Sequence, residues 1–196
     1  MVMRIYQIGE QKLNSSHPIE MSDNCNQYSH PLLEYLKNSD KISFNAFNMR
    51  MNLMGFSPDV DFVYALLKLS LNEYYSMTKN CPITAVFIEC IRHNMFIDEI
   101  KSDIIFDELI KNIKTKIAYS ILYAISKKRP GILIKKFFDA IKNKNNFLIS
   151  SFDTFANLTF KISSEIAKQN ENYANSTHLK IKQIIQDLYV CGSLWY

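Results

Sequence analysis

Cys90 and His93 are three residues apart, a spacing at which a thiol and a base can face each other on one helix. Such a pair would suit nucleophilic catalysis. Cys90, however, falls on an apolar stripe with Phe87 and Ile91, and a thiol buried among apolar side chains is inert. We therefore interpret Cys90 as a structural cysteine and His93 as a helix-end residue, and predict no catalytic residue and no enzyme.

His17, Cys25 and His30 lie in a polar stretch and have side chains that can bind a metal. Structural zinc sites use four ligands in closely spaced pairs, whereas these three are loosely spaced. The cysteines are scattered with no C-x-x-C pair: Cys25, Cys81, Cys90 and Cys191. We expect free thiols of a reducing compartment, and neither a metal nor a cofactor.

Glu99, Asp103 and Asp107 recur at steps of four and would share one face of a helix. Paired carboxylates can act in acid–base chemistry when one of them is buried. Lysines follow closely, Lys111 four residues after Asp107, which favours a solvated, salt-bridged face. The G-x-G-x-x-G, Walker, H-E-x-x-H and G-x-S-x-G motifs are not found in the sequence.

Basic residues are numerous between 111 and 144, but they are mixed with acids and lack the interleaved aromatic residues typical of nucleic-acid binding. This argues against a nucleic-acid partner. They are Lys111, Lys114, Lys116, Lys127, Lys128, Arg129, Lys135, Lys136, Lys142 and Lys144.

The densest basic cluster is Lys127, Lys128 and Arg129, directly before Pro130 and Gly131. Lysine and arginine suit the last turn of a helix, and Pro-Gly favours a chain reversal, so we predict a solvated corner with Gly131 in a left-handed conformation. The same run is also of the kind that nuclear import receptors read, so a nuclear-address role stays open.

The composition predicts a globular helical protein. The chain has 196 residues, of which 47% are hydrophobic and 21% charged, and a formal charge of +4. Four Gly and five Pro are too few for the tight turns of a barrel or sandwich. Neither a signal peptide nor a membrane span is recognisable, so we expect a soluble, intracellular protein.

Helical periodicity predicts an all-α bundle of six to seven amphipathic helices over residues 57–196. Residues 1–56 have no clear period and are predicted to be a partly ordered N-terminal extension with at most two short helices. A long helix is predicted from Ser102-Asp103 to about Ala124. Other helix starts are assigned to Ser57-Pro58-Asp59, Pro82, Ser150 or Ser151, and Thr177.

Three stretches resemble the poxvirus Bcl-2-like family of immunomodulators. They are SPDVDFVYALLKLSLNEYY, PITAVFIECIRHNMFIDEIKSDIIFDEL, and ILYAISKKRP followed by IKKFFDAIK and FDTFANLTFKIS. Together they lie within residues 57–190. The family's fifth helix is buried and apolar all round, but the corresponding helix here carries a polar stripe, so we expect one side to stay wet. The stripe comprises Asp153, Asn157, Lys161 and Glu165.

The resemblance implies a viral protein in the host cytoplasm or nucleus that blocks interferon regulatory factor or NF-kappaB activation. Its partners would be host kinases, adaptors or transcription factors, and the family leaves a homodimer open. Two alternatives remain: a Bcl-2-like inhibitor of apoptosis that binds pro-death helices, and a helical nucleic-acid-binding or regulatory module. The absence of a tail anchor favours the signalling inhibitor over the inhibitor of apoptosis.

Overall fold

The computed structural model describes residues 29–39, 42–73, 81–143 and 149–192, and these are all helical or connecting segments, with no β-strand among them. The all-α prediction is confirmed. The helices are α1 (Pro31–Asn38), α2 (Phe44–Leu53), α3 (Val60–Asn72), α4 (Pro82–Arg92), α5 (Ile97–Ile100), α6 (Asp103–Lys111), α7 (Lys116–Lys128), α8 (Pro130–Asn143), α9 (Ile149–Ala167), α10 (Glu171–Tyr173) and α11 (Leu179–Gly192), with a π-helical turn (Ala174–His178) between the last two.

Helix α7 lies inside the bundle and packs against α3, α4, α6, α8 and α9. Its sequence supplies apolar side chains on a broad face, so several neighbours can cover it at once. Ile121, Leu122 and Ile125 are fully buried. The core therefore forms around the helix whose C-terminal end carries the basic cluster.

Part of the predicted N-terminal extension packs into the same core. Leu32 and Leu36 of α1 and Phe47 of α2 are buried. His30 and Ser43 cap the two helices by accepting hydrogen bonds from backbone N–H groups of the first turn. Residues 1–28, which include His17 and Cys25, lie outside the described residues.

Helix α3 begins at Val60, so the predicted start at Ser57-Pro58-Asp59 is too early. The Asp59 side chain accepts a 2.8 Å hydrogen bond from the backbone N–H of Phe62, which makes Asp59 the N-cap. Asp59 lies within capping reach of that N–H, whereas Ser57 is two residues too far back. The predicted start of α4 at Pro82 is confirmed, and its apolar face with Val86, Phe87 and Ile91 is buried.

The long helix predicted from Ser102 is wrong, because the chain breaks between α6 and α7. The Thr115 side chain donates to the carbonyl of Asn112 at 2.8 Å and accepts from the N–H of Ala118 at 3.2 Å. These bonds cap a new helix instead of continuing the old one. The expected inward side chains are nevertheless buried, on both helices and in the turn between them: Leu109, Ile113, Ile117, Ile121 and Ala124.

Two further helix starts are also corrected. Helix α9 begins at Ile149, so Ser150 and Ser151 lie inside it. Thr177 lies inside the π-helical turn, and the cap of this region is Asn170, whose side chain accepts from the N–H of Tyr173 at 3.0 Å. A single Ser or Thr cannot identify a cap when an Asn a few residues earlier competes for the same role.

The expected solvent-exposed face of α9 is confirmed. Asp153, Asn157 and Lys161 are exposed, and Glu165 is partly exposed, while Phe155 on the opposite face is fully buried. Helix α9 therefore covers the core with one face and shows a charged face to its surroundings.

Candidate functional site at the basic end of helix α7

The predicted corner after the basic cluster is confirmed. Helix α7 ends at Lys128, Arg129 leaves the helical conformation with φ −139° and ψ 68°, and Pro130 is the first residue of α8. A residue before proline is disfavoured in the helical region, and proline at the first helical position needs no N–H partner. The dipeptide Arg129-Pro130 is thus sufficient to end one helix and start the next.

Gly131 does not adopt the predicted left-handed conformation. It is the second residue of α8, and the only glycine with positive φ among the described residues is Gly55, at +57°. The break is made at Arg129, two residues earlier than Gly131, by the restriction that Pro130 places on the residue before it. Gly131 therefore lies in a helix, where its freedom is not needed.

Lys127, Lys128 and Arg129 are all exposed, but they have different environments. The Lys127 ammonium pairs with the carboxylate of Glu165 on α9 and lies 5.5 Å from the ring centre of Tyr123. Lys161 of α9 approaches the same ring, at 4.9 Å. Within the described part of the chain, no ion pair engages Lys128. None engages Arg129 there either, so Lys128 and Arg129 are both more available to a partner than Lys127.

A concave surface on α4 and α7, which we call the tyrosine groove, ends at this cluster. It encloses about 490 Å³. Its lining residues combine an apolar base, two tyrosines and three cations: Ile88, Arg92, Tyr119, Ser120, Tyr123, Ala124, Lys127 and Lys128. The spacing of the α7 residues, in adjacent pairs four apart, places one continuous strip of that helix along the groove.

Cationic side chains outnumber carboxylates around the tyrosine groove. The hydrogen bond from Lys127 lowers the pKa of Glu165, and the charges of Lys127, Lys161 and Lys168 act in the same direction. The same hydrogen bond raises the pKa of Lys127. On the other wall, Arg92 pairs with Glu89 one turn earlier on α4. The carboxylates present are thus engaged, and cations remain in excess.

A second cavity, of about 410 Å³, adjoins the tyrosine groove on the α9 side. Lys127 lines both cavities, and its ion pair with Glu165 crosses the boundary between α7 and α9. Ile162 and Ile166 supply the apolar part of this second cavity. Lys127 therefore has a structural role that Lys128 and Arg129 lack.

No family model, curated protein or solved structure matches this chain. None of the described helices has both the length and the hydropathy needed to cross a membrane.

Cys90 is buried, as the sequence predicts, and burial raises the pKa of its thiol to about 12. A thiol with so high a pKa is almost entirely protonated and is a poor nucleophile. The ring of His93 stacks on Phe44 with centroids 4.5 Å apart. The two residues therefore have separate structural roles, one in the core and one at the end of α4.

His30, the described member of the proposed metal trio, is a helix cap. Its Nδ1 accepts a 3.2 Å hydrogen bond from the backbone N–H of Leu32, and its ring packs on Phe56 and Phe62. An Nδ1 that accepts from an N–H has no lone pair left for a metal. Within the described residues, no group of three potential metal ligands occurs.

The three carboxylates predicted to share a face are divided between two helices. Glu99 belongs to α5, which ends at Ile100, while Asp103 and Asp107 lie exposed on α6. Asp103 pairs with Lys136 of α8, which lowers its pKa, whereas partial burial raises the pKa of Asp107. The salt-bridged interpretation holds for Asp103, through a lysine remote in sequence.

Sequence reasoning missed Glu73, whose carboxylate is buried at the start of α4. It accepts hydrogen bonds from the backbone N–H groups of Ile83 and Thr84, each at 2.8 Å, and from the Thr84 hydroxyl at 2.7 Å. These are orphan donors of a helix N-terminus, where negative charge is stabilised. A glutamate ten residues upstream gives no local signal of this role.

Proposed function

We propose that the protein is a non-enzymatic viral immunomodulator of the poxvirus Bcl-2-like type. In this proposal it binds a host kinase, adaptor or transcription factor and blocks activation of interferon regulatory factors or NF-kappaB. The sequence runs that carry the resemblance lie on α3, on α4 to α6, and on α7 to α9. Among members of the family, these runs are similar to those of the vaccinia nuclear inhibitor of interferon regulatory factors.

The observation that carries the proposal is the tyrosine groove. Tyr119 and Tyr123 are half-buried, so part of each side chain is packed in the bundle and part is accessible at the surface. Tyrosine and arginine are enriched at the energetic centres of protein interfaces. Arg92 lies on the opposite wall of the groove. This combination suits recognition of another protein.

The same groove favours a signalling inhibitor over an inhibitor of apoptosis. Pro-death helices dock by placing an apolar face into a hydrophobic groove. Here Ile88 and Ala124 share the groove with three cations, Arg92, Lys127 and Lys128. An apolar helix face without carboxylates would separate these cations from water without pairing them, which is costly. We expect no micromolar binding of pro-death helical peptides in calorimetry.

The proposal is tested in cells that carry reporters driven by interferon regulatory factors or by NF-kappaB. Expression of the full chain should reduce at least one reporter after stimulation of an upstream innate sensor, without reducing a constitutive reporter. Affinity purification with mass spectrometry should recover a component of the same pathway. Unchanged reporters together with tight binding of a pro-death peptide would refute the proposal in favour of the apoptosis inhibitor.

The nuclear-address interpretation of the basic cluster has its own test. Replacing Lys127, Lys128 and Arg129 together with Gln should move a fluorescent fusion out of the nucleus if import receptors read the cluster. A matched triple change of Lys111, Lys114 and Lys116, three exposed lysines before and at the start of α7, controls for loss of charge. Equal nuclear entry of both variants would refute the nuclear-address interpretation and leave the cluster as a solvated corner between α7 and α8.

A further inference from the structure

We infer that the tyrosine groove is the docking site for an acidic segment of the host partner, one that carries an apolar side chain between its acidic residues. The inference rests on the proposed function in one respect, that the partner is a protein. It adds the location of the site and the chemistry of the occupant.

The walls of the groove carry positive charge. Arg92 on α4 and Lys127 and Lys128 on α7 line the groove, and none of its lining residues is acidic. The nearby carboxylates of Glu89 and Glu165 are already paired with two of these cations. A partner with negative charge would therefore meet uncompensated positive charge, which both accelerates and orients association.

The groove also has an apolar part. Ile88 is half-buried and Ala124 is buried, and the half-buried ring of Tyr119 stands on the same side of α7. An anion alone would leave these surfaces uncovered. An apolar side chain of the partner, placed between acidic neighbours, would cover them and contribute the affinity that exposed charges do not supply.

The cations of the groove would also attract nucleic acid, but its aromatic rings distinguish a protein segment from a nucleic-acid strand. Sequence-tolerant binding of single strands depends on free aromatic faces on which bases stack. The ring of Tyr123 is already approached by the ammonium groups of Lys127 and Lys161. Stacking a base on that ring would require displacing its own cations. A short acidic peptide segment needs no such rearrangement.

The test uses the purified full chain as bait for a displayed library of short peptides from intracellular host proteins. The best enriched peptide is then titrated by fluorescence anisotropy. The groove variants are Lys128→Glu and Arg92→Glu, one on each wall. The matched control is Lys114→Glu, an exposed lysine before the opposite end of α7, about 20 Å from Lys128 along the helix direction. That distance exceeds the Debye length at physiological salt, about 8 Å.

The inference predicts that enriched peptides are acidic with an apolar residue between the acids. Because each charge reversal replaces an attraction with a repulsion, each groove variant should weaken their binding by about tenfold, while Lys114→Glu changes it less than about threefold. Circular dichroism melting checks that all three variants fold. Enrichment of neutral or basic peptides, absence of enrichment, or equal weakening by the control would overturn the inference. Tight oligonucleotide binding that the groove variants abolish would also overturn it.

Failure of the inference and failure of the proposed function give different results. If the wild-type chain blocks the reporters and Arg92→Glu blocks them equally well, the function stands and the groove is not its site. If acidic peptides bind in a groove-dependent way and no reporter responds, the groove assignment stands and the immunomodulator proposal fails. Arg92 lies outside the basic cluster, so Arg92→Glu is not confounded by nuclear import.

Discussion

Gly131 offers a sharp test of the corner between α7 and α8. Because it is helical and exposed, replacement with Ala removes conformational freedom from the unfolded chain without straining the folded one. A Cβ atom built at this position meets no atom within 4 Å. We therefore expect Gly131→Ala to raise the free energy of unfolding by about 0.4–1 kcal/mol. For a chain of this size, that is a rise in Tm of about 1–4 °C.

Gly55→Ala is the matched control, since a Cβ atom there also has open space around it. The difference is the backbone: Gly55 has a φ of +57°, where an L side chain costs about 1–2 kcal/mol. Urea denaturation followed by circular dichroism should move the two midpoints in opposite directions. A destabilised Gly131→Ala variant, or the same direction of change in both, would refute our account of the Arg129-Pro130 break.

Three further predictions concern buried and capping side chains. Glu73→Gln removes the charge that two backbone N–H groups and the Thr84 hydroxyl bind, and should lower the free energy of unfolding by about 2–4 kcal/mol in urea titrations. Phe137→Ala removes a fully buried ring and should lower the free energy of unfolding by about 3–5 kcal/mol. Replacing the exposed Lys127, Lys128 and Arg129 together with Gln should lower it by about 1 kcal/mol or less. Comparable losses in the two variants would show that the cluster is not a solvated helix end. Burial lowers the pKa of His30 below its ordinary value of 6.5. The contribution of the neutral imidazole to the free energy of unfolding is therefore fully present above pH 6.5, and it is lost as the pH falls through the folded-state pKa. His30→Asn keeps an N-cap and should flatten this acid-side loss in unfolding titrations; an unchanged slope would contradict the assignment.

Helix faces could be predicted from the sequence because they depend on local spacing. The apolar positions of α4 recur three and four residues apart, and that recurrence alone identifies Val86, Phe87, Cys90 and Ile91 as buried. The corner at Pro130 could also be predicted, since proline acts on its own residue and on the one before it.

Helix ends were harder to predict, because neighbouring residues compete for the same role. Asp59 rather than Ser57 caps α3, and Thr115 divides a stretch whose apolar period runs on without a gap. The spacing of apolar residues indicates which side of the chain faces the core. That spacing is unchanged when a turn interrupts the helix but keeps the same side facing the core. The inward residues of α6 and α7 were therefore correct while the single long helix was wrong.

The tyrosine groove depends on tertiary packing. It needs Arg92 of α4 beside Lys127 and Lys128 of α7, which are separated by more than thirty residues in the sequence. The ion pair of Lys127 with Glu165 spans a similar separation. The sequence alone identified the basic cluster and its solvent exposure, because charged side chains at a helix end remain hydrated. Only the tertiary structure determined which lysine is paired, which remains available, and which tyrosines lie beside them, because those contacts depend on how separate helices pack.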